Sequence, residues 1–436
     1  MSSLKYYVND LGVLPGGTES VATGINDACQ VVGWSDVGGG IYHCFLYSDG
    51  LLVDITPLGQ GLSLQGDCSP AINSKGQVCG NWTAPNANTN TGFRWTPSTL
   101  NGQAGKIEDI GLTAGASASY AYDINDTGLV VGGLYTSQPN NPLNPSVHHI
   151  MIYTGGTPID LGQIGDNDNS CACVVNNAGQ FLVEVGVAAP YKIFICQYDG
   201  QSISAQTELT DQATEGLAIT INNADPVSSL IVPVPGALVY IIRTEKYPAN
   251  GEFKVLDRTP LPSSIGGLYQ AYDLNDWGQV VGSATGNISL PSGDKYPAYI
   301  WNPSGINGTV GDAYDLNTMI DPKSGWLLCC ARGINNKGHI VGEGLYQNQR
   351  RAFLLTPDSS HQNTIDRYTI EITALLGLLA KLPDPDPGPL LDMLKGLASY
   401  KLSTSIQNKE GLKLRKAALN LVSTIALQES KKLGSG

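Results

Sequence analysis

Seven times along the chain an aliphatic residue and an asparagine precede a short turn and a second apolar run. The pairs are Ile25 and Asn26, Ile72 and Asn73, Ile124 and Asn125, Val175 and Asn176, Ile221 and Asn222, Leu274 and Asn275, and Ile334 and Asn335. They recur about every 51 residues, a period that suits propeller blades and is too long for leucine-rich repeats. A repeat array builds one body from stacked copies, so much of this 436-residue chain is expected to form one large domain.

Further marks hold constant offsets from the asparagine. Four residues before it stands a small side chain: Ala22, Ser69, Ala121, Ala172, Ala218, Ala271 or Ala331. Three residues after it stand Gly76, Gly128, Gly179, Gly278 and Gly338, which supply the positive φ that closes a tight hairpin, while Cys29 and Asp225 depart from the rule. Asparagine bonds its own backbone two residues on, so all seven are expected to be turn formers. A second strand such as QVVGWS follows, then a third such as HCFLY, GFRW or RAFLL. A fourth ends near an acid: Asp54, Asp109, Asp160, Glu208, Asp257 or Asp315.

Four strands per unit make a blade, and the expected fold is all-β, a seven-bladed β-propeller over residues 1–357. The seventh unit lacks a fourth strand, whereas the chain opens on KYYVNDLG, a strand of that type ending at Asp10. The N-terminal strand is therefore expected to complete the last blade and remove the open sheet edges.

Composition agrees with a β-rich body. Gly 52 and Pro 25 punctuate short apolar runs, and charged residues at 14% fall well below the usual quarter. A net charge of −13 repels phosphate backbones and anionic lipid, which argues against nucleic acid as a partner. No apolar run reaches the roughly 18 residues of a membrane span, and the opening residues lack the pattern of a signal peptide. The nine cysteines sit mostly in apolar runs, as Cys44, Cys79 and Cys196 do, and are expected to be small buried hydrophobes in a reducing compartment, which favours the cytoplasm.

The pattern IN-x-x-GQVVG, followed by H-A-F-L-W and D-L-G, resembles the bacterial HAF-repeat family over roughly residues 4–357. The resemblance implies a propeller of repeats often found in exported or surface proteins, and it implies no reaction. If a leader has been trimmed, export is the alternative location. From Thr364 the composition turns helical, with breaks at Asp384, Asp386 and their prolines and at Gly411. A C-terminal helical segment over 364–432 is expected to pack on the propeller or to serve as an arm for a partner or for oligomerisation. The closing LGSG, 433–436, reads as a cloning remnant.

Candidate site residues come from the links that lead into each first strand: Asp67, Tyr120, Tyr122, Asp166, Asp168, Tyr269, Tyr272, Trp326 and Arg332. Aromatic rings beside carboxylates on a rigid scaffold suit a glycan, a peptide or a protein. Asp166 and Asp168 in DNDN supply oxygen ligands for Ca²⁺, without the spaced loop and distal Glu of an EF-hand. HExxH, G-x-S-x-G and P-loop motifs are absent, and the five histidines suggest polar strand ends more than metal ligands. Two function classes follow. The first is a non-catalytic binding propeller that uses its loop-rich rim. The second is an enzyme with an axial site doing lyase or group-transfer chemistry through Tyr120 or Tyr269 and Arg332.

Overall fold

The computed structural model describes residues 5–56, 69–83, 89–137, 146–165, 169–186, 192–209, 220–223, 227–234, 238–246, 253–261, 268–284, 288–290, 293–295, 297–305 and 307–358. The chain divides into two compact units, Met1–Thr356 and Pro357–Gly436. The helices expected over 364–432 and the closing residues 433–436 lie outside the described residues. Among the described residues the one helical element is a 3₁₀ turn, Leu316–Thr318, capped by Asp315.

The first unit is an all-β propeller. Seven four-stranded antiparallel sheets follow one another, with a two-stranded ribbon, Ile288–Leu290 and Gly293–Lys295, set into the sixth. The first strands are Ser20–Ile25, Ala71–Ile72, Ala116–Ile124, Ser170–Val175, Thr220–Ile221, Leu268–Leu274 and Trp326–Ile334. Each touches the first strand of the next sheet, and the seventh touches the first, so these strands surround a common axis. The N-terminal strand Tyr6–Asp10 is the outer strand of the seventh sheet, beside Gln349–Pro357, as the interrupted repeat implied.

Packing explains the repeat marks. Every joint between consecutive sheets holds one apolar cluster, the last uniting Val341, Ala352 and Leu354 with Leu14, Ala22 and Phe45. The small residue before each turn is fully buried at Ala22, Ala121, Ala172, Ala271 and Ala331. Opposite Ala22 lies Gly33, where a Cβ would stand 2.0 Å from the Val21 carbonyl oxygen and 2.8 Å from the Phe45 ring. The glycine of VVG is thus required because the third-strand aromatic lies across it.

The turn asparagines do more than cap their own hairpins. Asn26 Oδ1 accepts the backbone amides of Ala28 and Gln30, and Asn73, Asn125, Asn176, Asn275 and Asn335 repeat the arrangement. The remaining Nδ2 donates to the backbone carbonyl of the next sheet's asparagine. This circuit runs 26→73→125→176→222→275→335→26 at 2.8 to 3.4 Å. All seven asparagines are buried, so each amide hydrogen bond is made in low dielectric where an unpaired group is costly.

The acid that ends a fourth strand is also structural. Asp10, Asp109 and Asp160 each accept the amide two residues on, at Gly12, Gly111 and Gly162. Third-strand bases answer several of these acids, His43 with Asp54 at 2.7 Å, His149 with Asp160 at 2.9 Å and Lys192 with Glu208 at 3.5 Å, while Arg94 pairs with Glu108, the residue before Asp109, at 2.9 Å. Among the described residues no disulfide joins two of the eight cysteines, and Cys44, Cys79 and Cys196 are buried.

Candidate functional site

Tyr120, Tyr122, Tyr269, Tyr272, Trp326 and Arg332, expected in rim loops, lie instead within the innermost strands. The links are shorter than the apolar pattern suggested, because the segments before each turn pair with the second strand over up to nine residues. A β-bulge precedes the turn in five sheets, between Ala22 and Gly24, Ala121 and Asp123, Ala172 and Val174, Ala271 and Asp273, and Ala331 and Gly333. Bulges leave one residue unpaired and re-aim its side chain. The bulged residues are Thr23, Tyr122, Cys173, Tyr272 and Arg332, each three before the turn asparagine and each partly exposed.

Two clusters grow from these positions. At the joint of the sixth and seventh sheets the Arg332 guanidinium lies 4.9 Å from the Tyr272 ring centroid, and its Nε and Nη2 donate to Glu343 Oε1 at 3.1 and 2.8 Å. Glu343 also accepts from Arg350, whose guanidinium covers the Trp34 ring at 5.0 Å. Tyr272 donates to Gln270 Oε1 at 2.5 Å. Burial opposes ionisation of Glu343, but the two guanidiniums win and hold its carboxyl below the usual range. Burial pushes the Tyr272 phenol far above its usual range, so it stays a hydrogen-bond donor.

At the joint of the third and fourth sheets rings form a ladder. Tyr122 stacks on Tyr120 at 6.3 Å, Tyr120 meets Tyr135 at 4.8 Å, and Tyr135 meets His148 at 3.8 Å. Asn90 Nδ2 donates to the Tyr120 hydroxyl at 3.1 Å. Across the joint, a Cβ at Gly133 would stand 2.9 Å from Cys171 Sγ, which places that thiol against the third sheet. Glu184, paired in register with Cys171, is 8% exposed, and its Oε2 is buried without a hydrogen-bond partner. Burial pushes its carboxyl up to about 7.

Two further carboxylates serve the scaffold. Asp123 accepts the amides of Ile124 and Val175, and Asp273 those of Leu274 and Ile334, so each joins its own sheet to the next. Burial pushes both up to about 7 against the pull of these hydrogen bonds.

Of the residues singled out in the sequence, the structure brings Tyr272 to Arg332 and Tyr120 to Tyr122. Trp326, half-buried, stacks on Tyr346 at 5.1 Å and meets the Phe353 ring edge-on, packed against the core shared by the sixth and seventh sheets. Asp67, Asp166 and Asp168, with the Ca²⁺ site expected at the last two, lie outside the described residues, as does the Tyr269 side chain. Among the described residues no three His, Cys, Asp or Glu side chains converge as metal ligands. Also among them, no helix is long and apolar enough to cross a membrane. Glu184 and Glu343 escaped the sequence analysis although each is a lone acid in an apolar run, FLVEVG and HIVGEG. That interruption of the strand pattern was the available signal.

No family model matches the chain and no curated protein matches it, so the comparisons add nothing to the HAF-repeat resemblance. Solved structures similar to it include TolB from Acinetobacter baumannii, 11% identical with a TM-score of 0.36, over 80% of this chain and 66% of that one. Another is a gluconolactonase from Xanthomonas campestris, 8% identical, TM-score 0.39, over 82% of this chain and 92% of that one. A third is a mutant Aleuria aurantia lectin in complex with Fucalpha1-6GlcNAc, 12% identical, TM-score 0.35, over 68% and 94%.

Proposed function

We propose that the seven sheets are the blades of one closed sevenfold ring of HAF-like repeats, and that the ring is a non-catalytic binding module for a glycan, peptide or protein. The observation that carries the binding role is the contrast between positions. The asparagine and the small residue four before it are the same or nearly so in every sheet. Between them the bulged position changes, from Thr23 to Tyr122, Cys173, Tyr272 and Arg332. A scaffold needs the constant residues; varied aromatic and charged side chains, partly exposed around the axis, supply stacking faces and directed hydrogen bonds for a ligand. Tyr272, held protonated, suits donation to a ligand and not proton abstraction.

The folded protein, labelled at its surface, is screened on arrays of defined glycans and defined peptides. Wild type is expected to bind a related set of either kind, and Tyr272→Ala with Arg332→Ala to weaken binding by about tenfold or more. Wild type that binds nothing on both arrays, or a double variant that binds as wild type does, overturns the proposal.

A further inference from the structure

The joint of the sixth and seventh sheets and the joint of the third and fourth are built on one plan. Tyr272 and Tyr122 occupy the bulged position of the earlier sheet, three residues before Asn275 and Asn125. Asp273 and Asp123 follow them and accept the amide that precedes the next sheet's asparagine, at Ile334 and Val175. In the later sheet Glu343 faces Cys330 in register, and Glu184 faces Cys171 in the same way. The difference that bears on the glutamate lies at the bulged position of the later sheet. Arg332 stands between tyrosine and glutamate at one joint, and the much smaller Cys173 stands there at the other.

The consequence is visible at the two glutamates. Glu343 is satisfied by Arg332 and Arg350. Glu184 lies at a similar depth in its sheet, and its Oε2 has no hydrogen-bond partner. A buried carboxylate with an unpartnered oxygen is costly unless something pairs with it. The protein itself displays the partner that fits such a place, a planar guanidinium stacked on a tyrosine and bonded to the carboxylate.

We propose that the joint of the third and fourth sheets is a receptor for a guanidinium from outside the chain, the side chain of an arginine in a peptide or protein partner, seated between Tyr122 and Glu184 above Cys173. The proposal rests on the binding role given to the axial residues and names the ligand chemistry of one part of them. Guanidinium is favoured over ammonium because its plane can lie on the ring while its edge meets the carboxylate, as Arg332 does.

The test is calorimetric titration of the full chain with three blocked tripeptides, Gly-Arg-Gly, Gly-Lys-Gly and Gly-citrulline-Gly. The arginine peptide is expected to bind saturably in the millimolar range or tighter. Glu184→Gln, which keeps the shape of the side chain, is expected to weaken that binding by about tenfold or more, the loss of one charge-assisted pair. Cys173→Arg is expected to occupy the place from within, abolishing peptide binding while raising the thermal midpoint. Equal binding of the citrulline or lysine peptide, unchanged binding by Glu184→Gln, or a Cys173→Arg protein that is folded and still binds overturns the inference. So does wild type that fails to bind the arginine peptide; if that protein still binds its array ligand, the binding role survives and the guanidinium receptor alone is lost.

Discussion

Cys29 occupies the turn position that glycine holds in five other units, and its φ of 61° falls in the left-handed region beside Gly76 at 79° and Gly128 at 83°. An L side chain there costs about 1–2 kcal/mol, whereas glycine adds about 0.4–1 kcal/mol of unfolded-state entropy, so the trade favours glycine. Cys29→Gly is expected to stabilise the fold by about 0.5–1 kcal/mol in denaturant unfolding with an unchanged slope. A loss instead would show that the thiol's approach to the His339 ring, 3.7 Å from Nδ1, outweighs the backbone strain. The sequence made the turn legible at this position through its offset from Asn26 even though the glycine was missing. It did not disclose what the asparagine Nδ2 does. A turn former announces itself within its own five residues, but the circuit of carbonyls depends on how closely successive sheets approach the axis, which no local pattern encodes.

At the scale of the element, the first and second strands of the sheets carry three carboxyl groups that burial pushes up to about 7: Asp123 and Asp273 on first strands and Glu184 on a second strand. In the unfolded chain these groups release their protons near pH 4. Between that value and about 7 the native protein therefore binds more protons than the unfolded one, and stability falls as pH rises through the window. Glu343, held below its usual range by its arginines, acts with the opposite sign, and its contribution is lost as pH falls below the ordinary carboxylate range. The unfolding midpoint is expected to peak near pH 5 and to decline by pH 8, with a shallower decline in Glu184→Gln. A midpoint that rises from pH 5 to pH 8 would show that these carboxyls are ionised in the native strands throughout. The strands were legible as apolar runs of the right length, and so were several site residues, but they were placed in loops. The polar and aromatic stretches SASYAYD and LYQAYD read as links because a bulge breaks their alternation, and the second strand that pairs with them lies beyond the turn.

For the whole molecule, the decisive device is that the seventh sheet is made from both ends of the repeat region. Tyr6 and Val8 of the N-terminal strand pack on the core shared by the sixth and seventh sheets, and the Leu11 amide bonds the Ala352 carbonyl at 3.1 Å. The same stretch carries Leu11 and Leu14 into the cluster that joins the seventh sheet to the first. Removing residues 5–10 therefore strips a strand from the sheet that closes the circuit and leaves Gln349–Pro357 as an open edge. The loss of one half-buried tyrosine and one half-buried valine from a packed face is on the order of 2–3 kcal/mol. The lost ladder bonds add to it, and the bare edge invites pairing between molecules. The truncated protein is expected to unfold at markedly lower denaturant and to associate in light scattering. A synthetic peptide of residues 5–12, added in trans, is expected to restore both properties in proportion to the logarithm of its concentration, because it binds only the native edge. A truncated protein as stable and as monomeric as the full chain would mean that the asparagine circuit and the seven inter-sheet cores hold the ring closed without a shared last sheet.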